Sequence, residues 1–454
     1  IIEKQKKVLM SSGLRGDIGV PSSQIARVRN QDDPFVKTPS FSIIFPDEKE
    51  YPNCGVIKGP DEGEKGKSLG SLIYGRTVST YPTNPHNNIR EGDPICDQFG
   101  ASIFPDGSSV MVVADGCSWG EKPREAAMRA RDTFLSYMER KRYKLHLSTD
   151  VVHYLLRAMC KAHESILSDK SHPSEAGSTT LIGGIIVKNT PENMKNTSGD
   201  VPSTPWVFLA ASVGDCKAYV YRPDKKTIRD VSSIEQEKHR YKFGNRDPGG
   251  RLGSFISEQP DLRNLTTYCV PLNEGDYMML WSDGVYDNMD ARHMGKVPKD
   301  LKGLEQYGDD WDDVPHDSID ALHIKNTWLY ENLLSILEKA EPNPKSTVET
   351  IIQRCIDVTQ SSRTFMIENP SKRLPKDYSL YPGKMDHTTC LLYQIPPYSS
   401  DDNDNQAAAS SSASASAQQS SDQKTTTTTP DQSDSSTSLD ESSSQSFNSL
   451  SVDD

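Results

Sequence analysis

The sequence predicts an α+β layered domain over residues 75–397, on three observations: short hydrophobic runs of strand length, two pairs of stretches with helical periodicity, and polar flanks on both sides. The runs at 110–115 (VMVVAD), 178–187 (STTLIGGIIV), 205–213, 216–222, 276–283 and 388–395 are rich in β-branched and aromatic residues. Each is bounded by turn residues, so they read as mostly buried strands. Between 124 and 141, Ala127, Ala130, Phe134 and Met138 recur at helical spacing, as do Val152, Leu155, Leu156, Met159 and Ile166 between 149 and 167. A second helix pair is predicted at 328–340 and 346–358, with Pro342 and Pro344 marking the break. Residues 1–74 form a polar, turn-rich N-terminal extension, partly ordered, in which FSIIF at 41–45 is a candidate strand. Residues 398–454 are a Ser/Thr-rich tail that buries too little apolar surface to offset its ordering entropy and is expected to be disordered.

Composition narrows the function. The 454-residue chain carries a formal charge of -13, which would repel a phosphate backbone, so a nucleic-acid binder is not expected. No run approaches the roughly 18 apolar residues of a membrane span, and the start lacks a secretory hydrophobic region. The first residue is not Met, so a true N-terminus is expected upstream. Eight dispersed cysteines without a Cys-x-x-Cys pair suggest a reducing intracellular compartment, cytoplasmic or nuclear. There the sequons at Asn196 and Asn264 would go unused. Gly66-Lys67-Ser68 lacks the glycine and the apolar strand of a phosphate-binding loop.

The most informative feature is a set of aspartates at strand ends. Asp115-Gly116 closes one predicted strand, Asp283-Gly284 closes another, and Asp386-His387 opens the last. Buried strands deliver their terminal residues to the rim of a sheet, where separated carboxylates can converge. Glycine lets the backbone turn there and bring a carbonyl close to an ion. Oxygen donors suit Mg²⁺ or Mn²⁺ rather than zinc. A single Asp-Gly at a strand end is more often only a turn, so the flanking residues decide.

Those residues resemble the metal-dependent type 2C protein phosphatase family, over roughly residues 95–395. CDQFGASIF supplies an early acidic residue, Asp97, and VVADG resembles the motif whose aspartate bridges both metals, here Asp115, with the Gly116 carbonyl as a further ligand. AGSTTLIGGII is similar to a structural strand of the family, and ASVGDCKAYVYR to its hairpin with Gly214 and Asp215 at the turn. In LWSDGVYDNM, Asp283 looks like a metal ligand and Asp287 matches an aspartate of a weaker third site. DHTTCLLYQI resembles the terminal strand, with Asp386 as a ligand. The resemblance implies a four-layer α-β-β-α sandwich, a central antiparallel β-sandwich flanked by helix pairs. It also implies a monomeric serine/threonine phosphatase using two Mg²⁺ or Mn²⁺ ions, with a possible third, on phosphoprotein substrates. Asp97 would orient bound waters. The tail would be a site for regulatory partners.

The sequence also departs from the family. Cys117 stands where many members have a histidine, and it reads either as a small turn residue or as a redox-sensitive thiol. Gly92 stands where the family places its phosphate-gripping arginine, with Arg90 two residues upstream as the candidate replacement or a solvated surface residue. Cys96 replaces an acidic or amide residue, and Ser174, next to Glu175, stands where some members carry an aspartate near the third metal. Residues 233–265, with Arg240, Lys242, Arg246 and Arg251, fall where the family carries a mobile flap. They could meet a phosphopeptide or be a solvated loop. The alternative function is a weak or inactive pseudophosphatase that keeps the fold as a binding scaffold.

Overall fold

The predicted strands are apolar on both faces, and the layering of the molecule accounts for this. A computed structural model describes residues 39–44, 54–60, 63–196, 201–232, 247–315 and 318–398. The expected disordered tail from 399 onward, most of the N-terminal extension, and Arg240, Lys242 and Arg246 of the expected flap lie outside the described residues.

The strands are β1 (Ile43–Ile44), β2 (Gly55–Gly59), β3 (Lys67–Leu69), β4 (Ile73–Ser79), β5 (Gln98–Ile103), β6 (Ser109–Ala114), β7 (Ser178–Thr179) and β8 (Leu181–Asn189). They continue as β9 (Trp206–Val213), β10 (Lys217–Arg222), β11 (Thr227–Asp230), β12 (Arg251–Ile256), β13 (Gln259–Asp261), β14 (Thr266–Leu272), β15 (Tyr277–Trp281) and β16 (His387–Gln394). The principal helices are α1 (Glu121–Lys141), α2 (Ser148–Leu167), α3 (Asp283–Tyr286), α4 (Ile319–Leu337), α5 (Pro344–Val358) and α6 (Gln360–Glu368). One sheet runs β14-β9-β8-β6-β5-β2 with β1 added on β8, and a second runs β11-β10-β15-β16-β4-β3. All their pairings are antiparallel.

Alternation along each strand assigns its side chains to distinct cores. In β6, Val110, Val112 and Ala114 join Phe134 of α1 and Leu155 of α2 in one apolar cluster. Met111 and Val113 face the other way, into a cluster with Met278 and Leu280 of β15 and Leu391 of β16. Tyr277, Met279 and Trp281 of β15 meet Leu333 of α4 and Ile351 of α5 in a third. Three cores between four layers give the α-β-β-α sandwich. Because both sheets are covered on both faces, their strands carry continuous apolar runs rather than the polar alternation of a half-solvated antiparallel sheet.

Local chemistry explains where elements begin. The second helix pair starts earlier than its apolar periodicity suggests, because the Ser318 side chain accepts from the Ala321 N–H and caps α4. Asn343 caps α5, with Pro344 in its first turn. The run at 178–187 is divided at Thr180, whose N–H donates to the Asp115 carbonyl at 2.8 Å. β7 therefore pairs with β12, while β8 pairs with β6. Ahead of residue 75, β2 pairs with β5 and β3 with β4, so the preceding segment contributes to both sheets. Among the described residues no helix is long and apolar enough to cross a membrane.

Ile185 of β8 is fully buried in the core beneath α1 and α2. Ile185→Val removes one methylene and is expected to cost about 1 kcal/mol of unfolding free energy, measurable in urea. A change in midpoint indistinguishable from zero would contradict the close packing of that core.

Candidate metal centre

The register brings four aspartates to one end of the sandwich. In β5 and β6, Gln98 pairs with Ala114, so Asp97 and Asp115 lie just beyond the same end of the first sheet. In β15 and β16, Trp281 pairs with Cys390, so Asp283 and Asp386 lie beyond the corresponding end of the second. The two sheets are tied there by the Thr389 hydroxyl, which donates to Asp97 Oδ2 at 2.8 Å. Backbone bonds fix the positions: the Asp115 carbonyl accepts from Thr180 N–H and the Asp386 carbonyl from Thr80 N–H, at 2.8 and 2.9 Å. Gly116 is required by close approach, since a Cβ there would lie 2.6 Å from the Pro123 carbonyl oxygen.

Burial together with like charge makes ionisation costly. Asp97 is 1% exposed, and its pKa is pushed up to about 7 by desolvation and by Asp386 and Asp283, against bonds from Ser282 and Thr389. Desolvation first, then Asp97, Asp283 and Asp386, raises Asp115 well above the usual carboxylate range. Asp283 is also raised, by burial against the opposing pull of Lys384. Asp97 Oδ1 is buried without a hydrogen-bond partner. An orphaned oxygen amid crowded carboxylates fits a hard divalent cation, which would supply the missing positive charge. Yet among the described residues no three His, Cys, Asp or Glu side chains already form a ligand cage. The Lys384 ammonium lies among three carboxylates. It contacts Asp283 Oδ2 at 2.5 Å, Asp287 Oδ2 at 2.9 Å and Asp386 Oδ2 at 2.9 Å.

Comparison with known proteins bears on this geometry. No family model matches the chain. A PP2C-like domain-containing protein of Drosophila melanogaster, CG9801, is 30% identical over 225 residues, covering 48% of this chain and 29% of the relative. Over those 225 residues the chain is similar to a type 2C-like domain. The match spans less than a third of the relative's length. Among solved structures, the photosystem II phosphatase PBCP aligns over 72% of this chain and 99% of its own, at 19% identity and a TM-score of 0.41. A serine/threonine phosphatase of S. agalactiae aligns over 71% and 99%, at 12% identity and a TM-score of 0.38. Stp1 of Staphylococcus aureus aligns over 75% and 100%, at 13% identity and a TM-score of 0.37.

The positions at which the sequence departs from the motifs it resembles now have surroundings. Gly92 has φ +77°, and a Cβ there would lie 2.7 Å from Tyr81 Cδ2, which leaves no room for an arginine. Arg90 is engaged in ion pairs with Glu64 and, at 2.7 Å, with Asp93. It is therefore not a free guanidinium. Burial pushes the Cys117 thiol up to about 11, so it is protonated at neutral pH, which disfavours the redox-sensitive reading. Burial likewise holds Cys96 up, to about 12. His387 is pushed down to about 4, by burial and then by Arg90, and its Nδ1 accepts from the Cys96 N–H. It is therefore a neutral packing residue. Asp287, 4% exposed, joins the cluster through Lys384. Ser174 and Glu175 lie in a short turn where the His172 ring bonds Ser174. Of the four basic residues singled out in the expected flap, Arg251 lies among the described residues, and it pairs with Asp247. Gly66-Lys67-Ser68 leads into ordinary strand β3.

Several contributors were not singled out from the sequence. Tyr81 donates its hydroxyl to Asp386 Oδ1 at 3.2 Å and accepts from Trp119 Nε1 at 3.1 Å. Asn288, fully buried, donates to the Gly284 and Lys384 carbonyls and accepts from the Lys384 N–H. Lys384 lies two residues before Asp386. A cation so close to a ligand motif was the available signal.

Proposed function

We propose that the chain hydrolyses phosphoserine and phosphothreonine in proteins. The observation that carries this reading is the convergence of Asp97, Asp115, Asp283 and Asp386 at one end of the sandwich, through register alone. Asp115, Asp283, Asp386 and the Gly116 carbonyl would hold Mg²⁺ or Mn²⁺. A bound pair would supply Lewis acidity toward a phosphoryl oxygen and would lower the pKa of a water so that it could give up a proton and attack phosphorus. Asp97, held by Thr389, offers Oδ1 as an acceptor that orients water. Tyr81 braces Asp386, and the half-exposed Trp119 stands beside it at the rim where a peptide would enter. In the net reaction, the P–O ester bond breaks, water oxygen joins phosphorus, and the alcohol leaves with a proton. Arg90 would grip the phosphate only by exchanging its pairs with Glu64 and Asp93. None of the eight cysteines, all among the described residues, is in a disulfide, the state a reducing compartment maintains, which supports an intracellular setting.

The test is release of inorganic phosphate from a phosphothreonine peptide by the full chain with Mn²⁺. Asp115→Asn is the variant of choice, because Asp115 has no contact with Lys384 that would confuse the result. Turnover is expected to drop by about a hundredfold or more, as for loss of an interaction made mainly in the transition state. Equal turnover in the two proteins would sink the assignment.

A further inference from the structure

Lys384 is built into the site rather than draped over it. Gly383 turns the chain at φ +83° and donates its N–H to the His293 carbonyl at 2.6 Å. Asn288 then holds the Lys384 backbone from both sides, at 2.9 and 3.0 Å. The ammonium carries three protons and meets three carboxylate oxygens, one each from Asp283, Asp287 and Asp386, at 2.5 to 2.9 Å. The other oxygen of Asp386 is already committed to the Tyr81 hydroxyl and the His387 N–H. Asp97 Oδ1, which Lys384 does not reach, remains buried and unpartnered. The chain itself thus compensates part of the charge of the carboxylate cluster, while an acceptor oxygen within it stays unpartnered.

We propose that Lys384 is a tethered cation that competes with a divalent ion for the Asp283, Asp287 and Asp386 oxygens. This rests on the metal-centre reading above, and it makes loading of the second position the step the chain restrains. A divalent ion entering there must displace an ammonium whose protons are all bonded.

The test counts ions rather than turnover. Full-length wild type and Lys384→Gln are titrated with Mn²⁺, and free Mn²⁺ is followed by its electron paramagnetic resonance signal. Lys384→Gln is expected to bind about one further ion per chain in the same concentration range, or the same number about tenfold more tightly. Because Lys384→Gln leaves carboxylates uncompensated, Lys384→Gln/Asp287→Asn provides a second variant with less uncompensated charge; having lost one charged ligand, it is expected to show a smaller gain over Asp287→Asn alone, in the same direction. Equal stoichiometry and affinity in wild type and folded variants would overturn the proposal while leaving the phosphatase reading intact. No Mn²⁺ on any of the proteins would overturn both. Absence of turnover despite the gained ion would sink only the phosphatase reading.

Discussion

At pH 8 in EDTA, Asp97→Asn is expected to raise the melting temperature of the protein. Asp97 is almost completely buried, and its pKa in the fold is about 7. The unfolded chain ionises near 3.9, so the folded state binds the extra proton throughout the interval between. The stability this residue contributes is therefore fully present below about pH 4 and is lost as pH rises through about 7. At pH 8 the fold must accommodate a buried charge beside Asp386 and Asp283. Asparagine is uncharged at every pH, still accepts from Thr389, and directs its amide toward neighbouring carboxylates. A shift of this size corresponds to about 2 to 4 kcal/mol, or a rise on the order of 4 °C or more. The difference between variant and wild type should grow from pH 4 to pH 8. With Mn²⁺ present it should shrink or reverse, because a bound ion stabilises the ionised wild-type cluster and asparagine weakens that binding. A melting temperature lowered by several degrees in EDTA at pH 8 would contradict the electrostatic account.

How much of this was legible in the sequence depended on whether a residue's partner was implied by its own neighbourhood. The strands β6, β8, β9 and β15 were readable because both their faces are buried, leaving uninterrupted apolar runs. The aspartates at their ends followed from the same boundaries. β4 was harder: it contains Gly75 and Arg76, neither of which signals a strand. Gly75 makes room for the Phe99 ring, since a Cβ there would lie 2.4 Å from Phe99 Cε2, and Arg76 is half-buried against Glu349 of α5. Arg90 looks like a free loop arginine in sequence, yet its partner Glu64 comes from a turn that only the fold brings near. Lys384 was obscured for a related reason. Lysines usually lie in solvent, and this one is drawn inward by three carboxylates, two of which lie about a hundred residues earlier.

Gly284→Ala is expected to be more damaging than any of the substitutions considered so far. A Cβ at Gly284 would stand 2.0 Å from the His387 carbonyl oxygen, 2.9 Å from its carbonyl carbon and 2.8 Å from the Thr388 hydroxyl. Two of these obstacles are backbone atoms, so no rotamer change relieves them. Asn288, which holds the Gly284 carbonyl at 2.7 Å, is itself bonded to the Lys384 backbone at 2.9 and 3.0 Å, and this tie opposes a simple sliding of α3 away from the segment before β16. Relief therefore requires α3 to separate from the start of β16, where the Ser282 hydroxyl and the Thr389 N–H are bonded at 2.9 Å. The cost should exceed about 4 kcal/mol, near the upper limit for a single substitution, and the protein should unfold at markedly lower urea concentration. The same movement separates Asp283, at the head of α3, from Asp386, just before β16, so Mn²⁺ affinity should fall even in whatever fraction remains folded. A variant that unfolds within about 1 kcal/mol of wild type would show that this contact is not tight. The small methyl group is informative because it removes no carboxylate: if it abolishes ion binding, the spacing between the two strand ends, and not only the identity of the aspartates, determines whether the site can hold a metal.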